Sequence, residues 1–298
     1  MPSFFNTVEK LKSVIVLQWG LCYNLKTKQT GRLPGNRGNA AAKNTGKSAR
    51  KNSMHMRTKK WARPELHACP FYEAEGEQRR GRWREAFPRP EQPLHLEMGC
   101  GKGVSTAQMV AANPQINYVA VDISPDVLGD ARRNMVRACG GDPDNAWILF
   151  ADICLIDHYF SREDGPERII ISFCNPWTEH PKHEKRRLTH PRQLKQYREM
   201  LQPGGEIWFK TDDDRLFDDS RAYFALCGFD TEYITWDLAG SGFEPNYISE
   251  HERKYREMGI PIKFGIFRMT EREMGFDPTR FRLTPGVRRE TLERLSKG

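Results

Sequence analysis

Leu94-His95-Leu96-Glu97-Met98-Gly99-Cys100-Gly101-Lys102-Gly103 decides the fold. A short apolar strand runs into a glycine loop, and an acid stands two positions before the first glycine, giving E-x-G-x-G-x-G. Gly99, Gly101 and Gly103 let the backbone turn sharply and lie close to a ligand. A dinucleotide site needs room and positive potential for a pyrophosphate. S-adenosylmethionine (SAM) has no phosphate and carries an ammonium and a sulfonium, so Glu97 beside the loop suits SAM and opposes NAD.

Outward from this loop, strand and helix signals alternate. Strands are expected at Leu94–Met98, Tyr118–Ile123, Ala146–Phe150, Arg168–Phe173, Gly205–Lys210, Phe229–Trp236 and Ile262–Met269. Helices are expected at Ser105–Ala112, from Ser124-Pro125-Asp126 to Cys139, and over Pro191–Leu201 and Asp214–Leu226. Ser124 reads as an N-cap with proline at the first helical position. Residues 246–258 read as helix or loop. Repeated β-α-β units with apolar strands mean a parallel sheet covered by helices. The two late strands fit the expected fold, an α/β, Rossmann-like SAM-dependent methyltransferase fold with a seven-stranded, mostly parallel sheet and helices on both faces.

Two further acids fall at expected strand ends. Asp122 lies 23 residues after Gly99 and is placed to accept hydrogen bonds from ribose hydroxyls. Asp152 ends the next strand, beside the adenine edge. Each alone could be a cap or a solvated residue; with the loop they describe one cofactor edge at the carboxyl ends of the strands.

After the fourth expected strand comes Phe173-Cys174-Asn175-Pro176-Trp177. This N-P-W element resembles the D/N-P-P-Y/F loop of enzymes that methylate exocyclic amines, where the polar residue accepts from an amino group and the ring stacks on the base. The run Pro181-Lys182-His183-Glu184-Lys185-Arg186-Arg187-Leu188 follows at once, and its cations suit phosphates. A charge run is often only a solvated face, but this one adjoins the N-P-W element. Two later segments, Lys210-Thr211-Asp212 and Ser249-Glu250-His251-Glu252, offer acids to the donors on a guanine edge; a charged helix face with i,i+4 pairs is the plainer alternative for the second. His180 and His183 with Glu179 and Glu184 lack a third ligand cluster, so no metal is expected.

The bulk numbers fit. The chain has 298 residues and a net charge of +8, enough length for a real core. Residues 1–60 carry 13 Lys/Arg against one acid, Glu9, so the remainder is mildly acidic at −4. Polyanion affinity must come from the N-terminal stretch or from a local patch. Residues 24–60 are polar without apolar period and read as disordered. Residues 1–55 are therefore expected to be a basic extension. Met56-Arg57-Thr58-Lys59-Lys60 looks like a natural beginning, which makes that extension a start-site artefact on one reading and a nucleic-acid-binding arm on the other. Residues 56–270 form the expected catalytic domain, and 271–298 a tail with a short helix and no assigned role. The longest early apolar run, Val14 to Leu17, is too short to span a bilayer or to make a clear signal peptide. Seven unpatterned cysteines point to reduced thiols and a cytoplasmic location.

In this order the motifs resemble those of bacterial tRNA (guanine-N7-)-methyltransferases, which modify guanine 46 in the variable loop. The likeness covers about Met56 to Met269 and rests on N-P-W, H-x-K-R-R-L, K-T-D and S-E-x-E-x-K more than on the glycine loop. It implies SAM contact by Glu97, Gly99, Gly101, Gly103, Asp122, Asp152 and Asn175, with Asn175 at the catalytic position. It implies tRNA contact by Glu179, Lys182, Lys185, Arg186, Arg187, Asp212, Ser249, Glu250, His251 and Glu252. Three features depart from the family pattern. Asn175 stands where an Asp is usual, the loop after Trp177 is one residue longer, and T-E-Y-E reads Ser249-Glu250-His251-Glu252. Neither an obligatory protein partner nor a membrane is implied, and a monomer or homodimer is expected. The alternatives are methylation of an exocyclic amine, a small-molecule methyltransferase, and a non-catalytic RNA-binding relative.

Overall fold

The computed structural model describes residues 58–178 and 180–295. The extension read over residues 1–55 lies outside the described residues, as does Glu179. In chain order the elements are α1 (Ala62–His67), β1 (Tyr72–Glu73), β2 (Leu94–Met98), α2 (Val104–Ala112), β3 (Asn117–Asp122), α3 (Pro125–Cys139), β4 (Ala146–Phe150) and β5 (Arg168–Ser172). There follow α4 (Pro191–Met200), β6 (Glu206–Thr211), α5 (Asp214–Leu226), β7 (Phe229–Thr235), α6 (Glu250–Glu257), β8 (Lys263–Met269) and α7 (Pro285–Leu295).

The strands form one sheet in the order β1-β4-β3-β2-β5-β6-β8-β7. The first six positions run parallel, and β8 runs antiparallel to both β6 and β7. The sheet therefore has eight strands where the sequence pattern gives seven. The extra strand, β1, pairs only Tyr72 with Ile148 and Glu73 with Leu149, and two residues carry no readable period.

Alternation along the strands divides the core into two layers. Leu94, Leu96 and Met98 of β2 join Ile169, Ile171, Ile207 and Phe209 on one face, under Leu194 and Tyr197 of α4 and Leu216 and Phe217 of α5. Tyr118, Ala120, Ile148 and Ile170 face the other way, under α1, α2 and α3 through Leu66, Val110, Leu128 and Ala131. Strand order reverses between β2 and β5. In open α/β sheets the ligand crevice lies there, at the carboxyl ends of the strands.

Candidate functional site

The glycine loop closes over the end of β2. The N–H groups of Gly99 and Cys100 both donate to the Val121 carbonyl, at 2.9 and 3.0 Å. Gly103 has φ +63°, and a Cβ there would lie 2.7 Å from Ala131 Cβ on α3. That close approach of α2 to α3, together with the left-handed backbone, is why glycine stands here. Asp122 fixes the loop from the next strand: Oδ2 accepts from Gly101 N–H at 3.0 Å, and Oδ1 from Ser124 N–H at 2.9 Å. Burial raises the Asp122 carboxyl, and these backbone donors pull it back.

Glu97 is buried beneath the first turn of α2, where Ser105 and Thr106 both donate to it. Desolvation lifts its carboxyl to about 7, against the lowering effect of the two hydroxyls and the Lys210 charge. Asp152 caps the helical turn Ile153–His158 by accepting from Cys154 N–H at 2.9 Å. Two apolar side chains remain open beside these acids, Ile123 at 50% exposure and Leu155 at 38%.

The N-P-W loop leaves β5 under strain. Phe173 and Trp177 have φ of +54° and +48°, the left-handed region that side chains other than glycine rarely occupy. Phe173 N–H donates to the Lys210 carbonyl at 2.8 Å, and its ring stacks with His251 and Tyr255 of α6. Asn175 is exposed between the two strained residues; its Oδ1 accepts from Trp177 N–H at 3.0 Å, which leaves the amide N–H₂ facing outward.

Around this loop the residues of the basic run separate. Lys182, Lys185 and Arg186 are exposed on the helical turn Pro181–Arg186, with Arg186 over the Trp177 ring at 5.1 Å. Arg187 is not among them. Its side chain is enclosed, donating to the Pro176 carbonyl at 2.7 Å and to Asp219 at 2.8 Å. It cannot offer its guanidinium to a phosphate, because Arg187, the residue that ends the six-residue turn Pro181–Arg186, directs its side chain inward onto Asp219 of α5.

The α6 segment divides in the same way. Ser249 caps α6 by accepting from Glu252 N–H at 3.1 Å. Glu250 and His251 are exposed, and Lys102 of the glycine loop pairs with Glu250 at 2.6 Å. Glu252 is fully buried and accepts from Lys210 and Asn246, each at 2.8 Å, and from Arg256 at 2.6 Å. All its hydrogen bonds go inward, so it holds β6, the 236–249 segment and α6 together and presents no carboxylate to a base. Asp212 is half-buried at the end of β6, and Lys263 donates to its carbonyl at 3.0 Å. Asn246 and Asp219 belong to this constellation but carry no motif, and Lys102 occupies only a variable position of the glycine loop; the fold brings them in. Among the described residues no cluster of His, Cys, Asp or Glu could hold a metal ion, and no helix is long and apolar enough to cross a membrane.

A parallel sheet with a switch point between β2 and β5, a glycine loop and acids at three neighbouring strand ends defines a Rossmann-like methyltransferase. A family model described as "Putative methyltransferase" matches residues 91–264. The tRNA (guanine-N(7)-)-methyltransferase of Clostridium perfringens strain SM101 is 49% identical over 216 residues, 72% of this chain and 98% of that protein. The proteins of that name from Clostridium beijerinckii and Acetivibrio thermocellus are 48% and 45% identical, each over 216 residues, with the same coverage of both chains. The chain belongs to the tRNA (guanine-N(7)-)-methyltransferase family.

Proposed function

We propose that this protein transfers a methyl group from SAM to N7 of a guanine in tRNA, with guanine 46 of the variable loop as the target. The observation that carries the reading is the meeting of two features at one end of the sheet. The acid-flanked loop at β2 and β3 lies beside an exposed Asn175 rimmed by Lys182, Lys185 and Arg186.

The residues present fit SAM. We assign Asp122 to the ribose, Asp152 to the adenine edge, Ile123 and Leu155 to its faces, and Glu97 with the loop to the methionyl ammonium end. Bound SAM supplies an electrophilic methyl on a sulfonium. Guanine N7 carries a free lone pair, so no side chain has to remove a proton, and the work of this chain is alignment. Asn175 orients the base or the ammonium by donating from its amide. Methylation leaves a positive purine, which carboxylates nearby stabilise; Asp212 and Glu250 take that role where Asn175 has no charge. The target base must leave the stacked tRNA core to reach the strand ends. Lys182, Lys185 and Arg186 hold its phosphates, and a cytoplasmic location follows from a tRNA substrate.

The test is incubation with unmodified tRNA and methyl-labelled SAM, followed by nucleoside identification. An alkali-labile, charged 7-methylguanosine is expected. Label in N2-methylguanosine or N6-methyladenosine would replace the reading with exocyclic amine methylation.

A further inference from the structure

We infer that Arg288, on the C-terminal helix α7, is a positioning residue for methyl transfer, acting through Asp219 and Arg187 on the loop that carries Asn175. The inference rests on the assignment of Asn175 to the reaction site. The helix lies beyond residue 264, where the family match ends.

The chain of contacts is continuous. Arg288 Nε donates to Asp219 Oδ1 at 2.6 Å, and Arg187 Nη1 donates to the other oxygen, Oδ2, at 2.8 Å. Arg187 Nε then donates to the Pro176 carbonyl at 2.7 Å. Pro176 stands between Asn175 and the strained Trp177, so a carbonyl held there sets the direction of both neighbours. Side-chain exposure falls inward along this path, from 35% at Arg288 to 5% at Asp219 and 0% at Arg187. Low local dielectric strengthens the inner contacts and makes their geometry stiff.

Arg288 matters because a carboxylate held at one oxygen can still rotate. Occupied at both oxygens, Asp219 cannot turn without breaking one charged hydrogen bond. Arg288 also donates to Asp218 at 3.3 Å, which ties the same guanidinium to α5 twice. Without it Asp219 is free to rotate toward Arg215, whose Nε lies 3.7 Å from Oδ2. Arg187 would then lose its fixed anchor, and the Pro176 carbonyl its donor.

The test is a kinetic cycle on the full chain with tRNA and SAM, using Arg288→Gln, Asn175→Ala and the double variant. Misplacement near the chemistry costs up to about 100-fold, and the expected loss in kcat for Arg288→Gln is about tenfold, with KM for tRNA little changed. In the Asn175→Ala background the same replacement is expected to cost less than about twofold, because residues of one network do not act additively. Arg288→Lys keeps the charge without the fork and is expected to recover part of kcat; it goes through the same cycle should Arg288→Gln not fold. Equal losses from Arg288→Gln in both backgrounds, or none in either, overturn the inference while leaving Asn175 in place. Normal turnover by Asn175→Ala instead removes the reading of the loop itself, and the inference with it.

Discussion

Lys102 Nζ donates to the Glu250 carboxylate across 2.6 Å, joining the glycine loop to the first turn of α6 over 148 positions of sequence. Both side chains are about half exposed, so the pair contributes less than about 1 kcal/mol to the fold. On the proposed function, substrate would exchange this contact, with phosphate for Lys102 and base donors for Glu250. Lys102→Ala should leave the unfolding free energy within about 1 kcal/mol of the parent protein, as read by urea denaturation. Glu250→Ala should leave stability equally untouched and raise KM for tRNA. A loss of several kcal/mol in either variant would make the pair structural and take Glu250 out of substrate binding.

Arg186 and Arg187 are neighbours with opposite surroundings, and their alanine variants should fail differently. Arg186→Ala is expected to weaken tRNA binding at unchanged melting temperature. Its slope of log affinity against log salt should fall by about one, the loss of one phosphate contact. Arg187→Ala leaves the buried Asp219 carboxylate to Arg288 and takes the donor from the Pro176 carbonyl, and should cost about 2–3 kcal/mol of stability. Thermal unfolding and a salt series on the two variants separate these outcomes; a stable Arg187→Ala variant with a reduced salt slope would restore Arg187 to the RNA surface.

Asn175 supplies an acceptor to Trp177 N–H as well as an outward amide. Asn175→Asp retains the acceptor and adds the carboxylate that a cationic purine favours, so its kcat should equal or exceed that of the parent. Asn175→Ala loses both and should lower kcat by about 10- to 100-fold. Steady-state turnover on unmodified tRNA decides it, and an Ala variant at full rate would exclude Asn175 from the mechanism.

The layered sheet was legible because its strands are nearly continuous apolar runs closed by glycine or acid. Leu94–Met98, closed by Gly99, and Asn117–Asp122, closed by its own acid, are examples. β1 was not legible, since two residues have no period and exist as a strand only through β4. The motif residues gather as their order suggests, yet motif membership does not report which way a side chain points. Arg186 and Arg187 are the same residue type one position apart, and the turn Pro181–Arg186 sends one outward and the other onto Asp219. Glu250 and Glu252 differ in the same way, because helical rotation carries the second under Lys210 and Asn246. The Arg288–Asp219 contact spans 69 positions and has no local signature at all.

Acid should destabilise the fold with a slope to which three buried groups, His95, His190 and Glu97, contribute. Desolvation lowers His95 to about 3 and His190 to about 4 from an ordinary 6.5. His190 also accepts through Nδ1 from Arg192 N–H, which only the neutral ring can do. Below pH 6.5 the unfolded chain binds these two protons and the folded chain does not, so their stabilisation is lost as pH falls toward 4. Glu97 works in the opposite sense, since the folded chain keeps its proton up to about 7 and the unfolded chain only up to about 4.5. Between pH 4.5 and 6.5 the unfolded chain therefore binds one proton more in net, and these groups lower stability by about 1.4 kcal/mol per pH unit on acidification. Glu97→Gln removes the opposing group and should steepen this contribution to about 2.7 kcal/mol per unit. Urea denaturation at half-unit pH steps measures both, and a Gln variant with a shallower slope would contradict the sign.

The same carboxyl should make SAM binding depend on pH. Glu97 is held near 7 because desolvation outweighs its two hydroxyl donors and the Lys210 charge. An ammonium brought to this end of the glycine loop favours the ionised form. Binding below pH 7 must then release the Glu97 proton, and affinity should rise up to about tenfold per unit from pH 5.5 to 7. Above about 7.7 the α-amino group of the ligand begins to lose its own proton, so affinity should pass through a maximum near neutrality. Calorimetric titration with SAM in two buffers of different ionisation enthalpy counts the proton released. Glu97→Gln should abolish the acidic limb and weaken binding at pH 7.5 by about 10- to 100-fold, the loss of one hydrogen bond to a charged group. Affinity that stays level from pH 5.5 to 7 in the parent protein would leave Glu97 as support for α2 alone and move the ammonium elsewhere in the site.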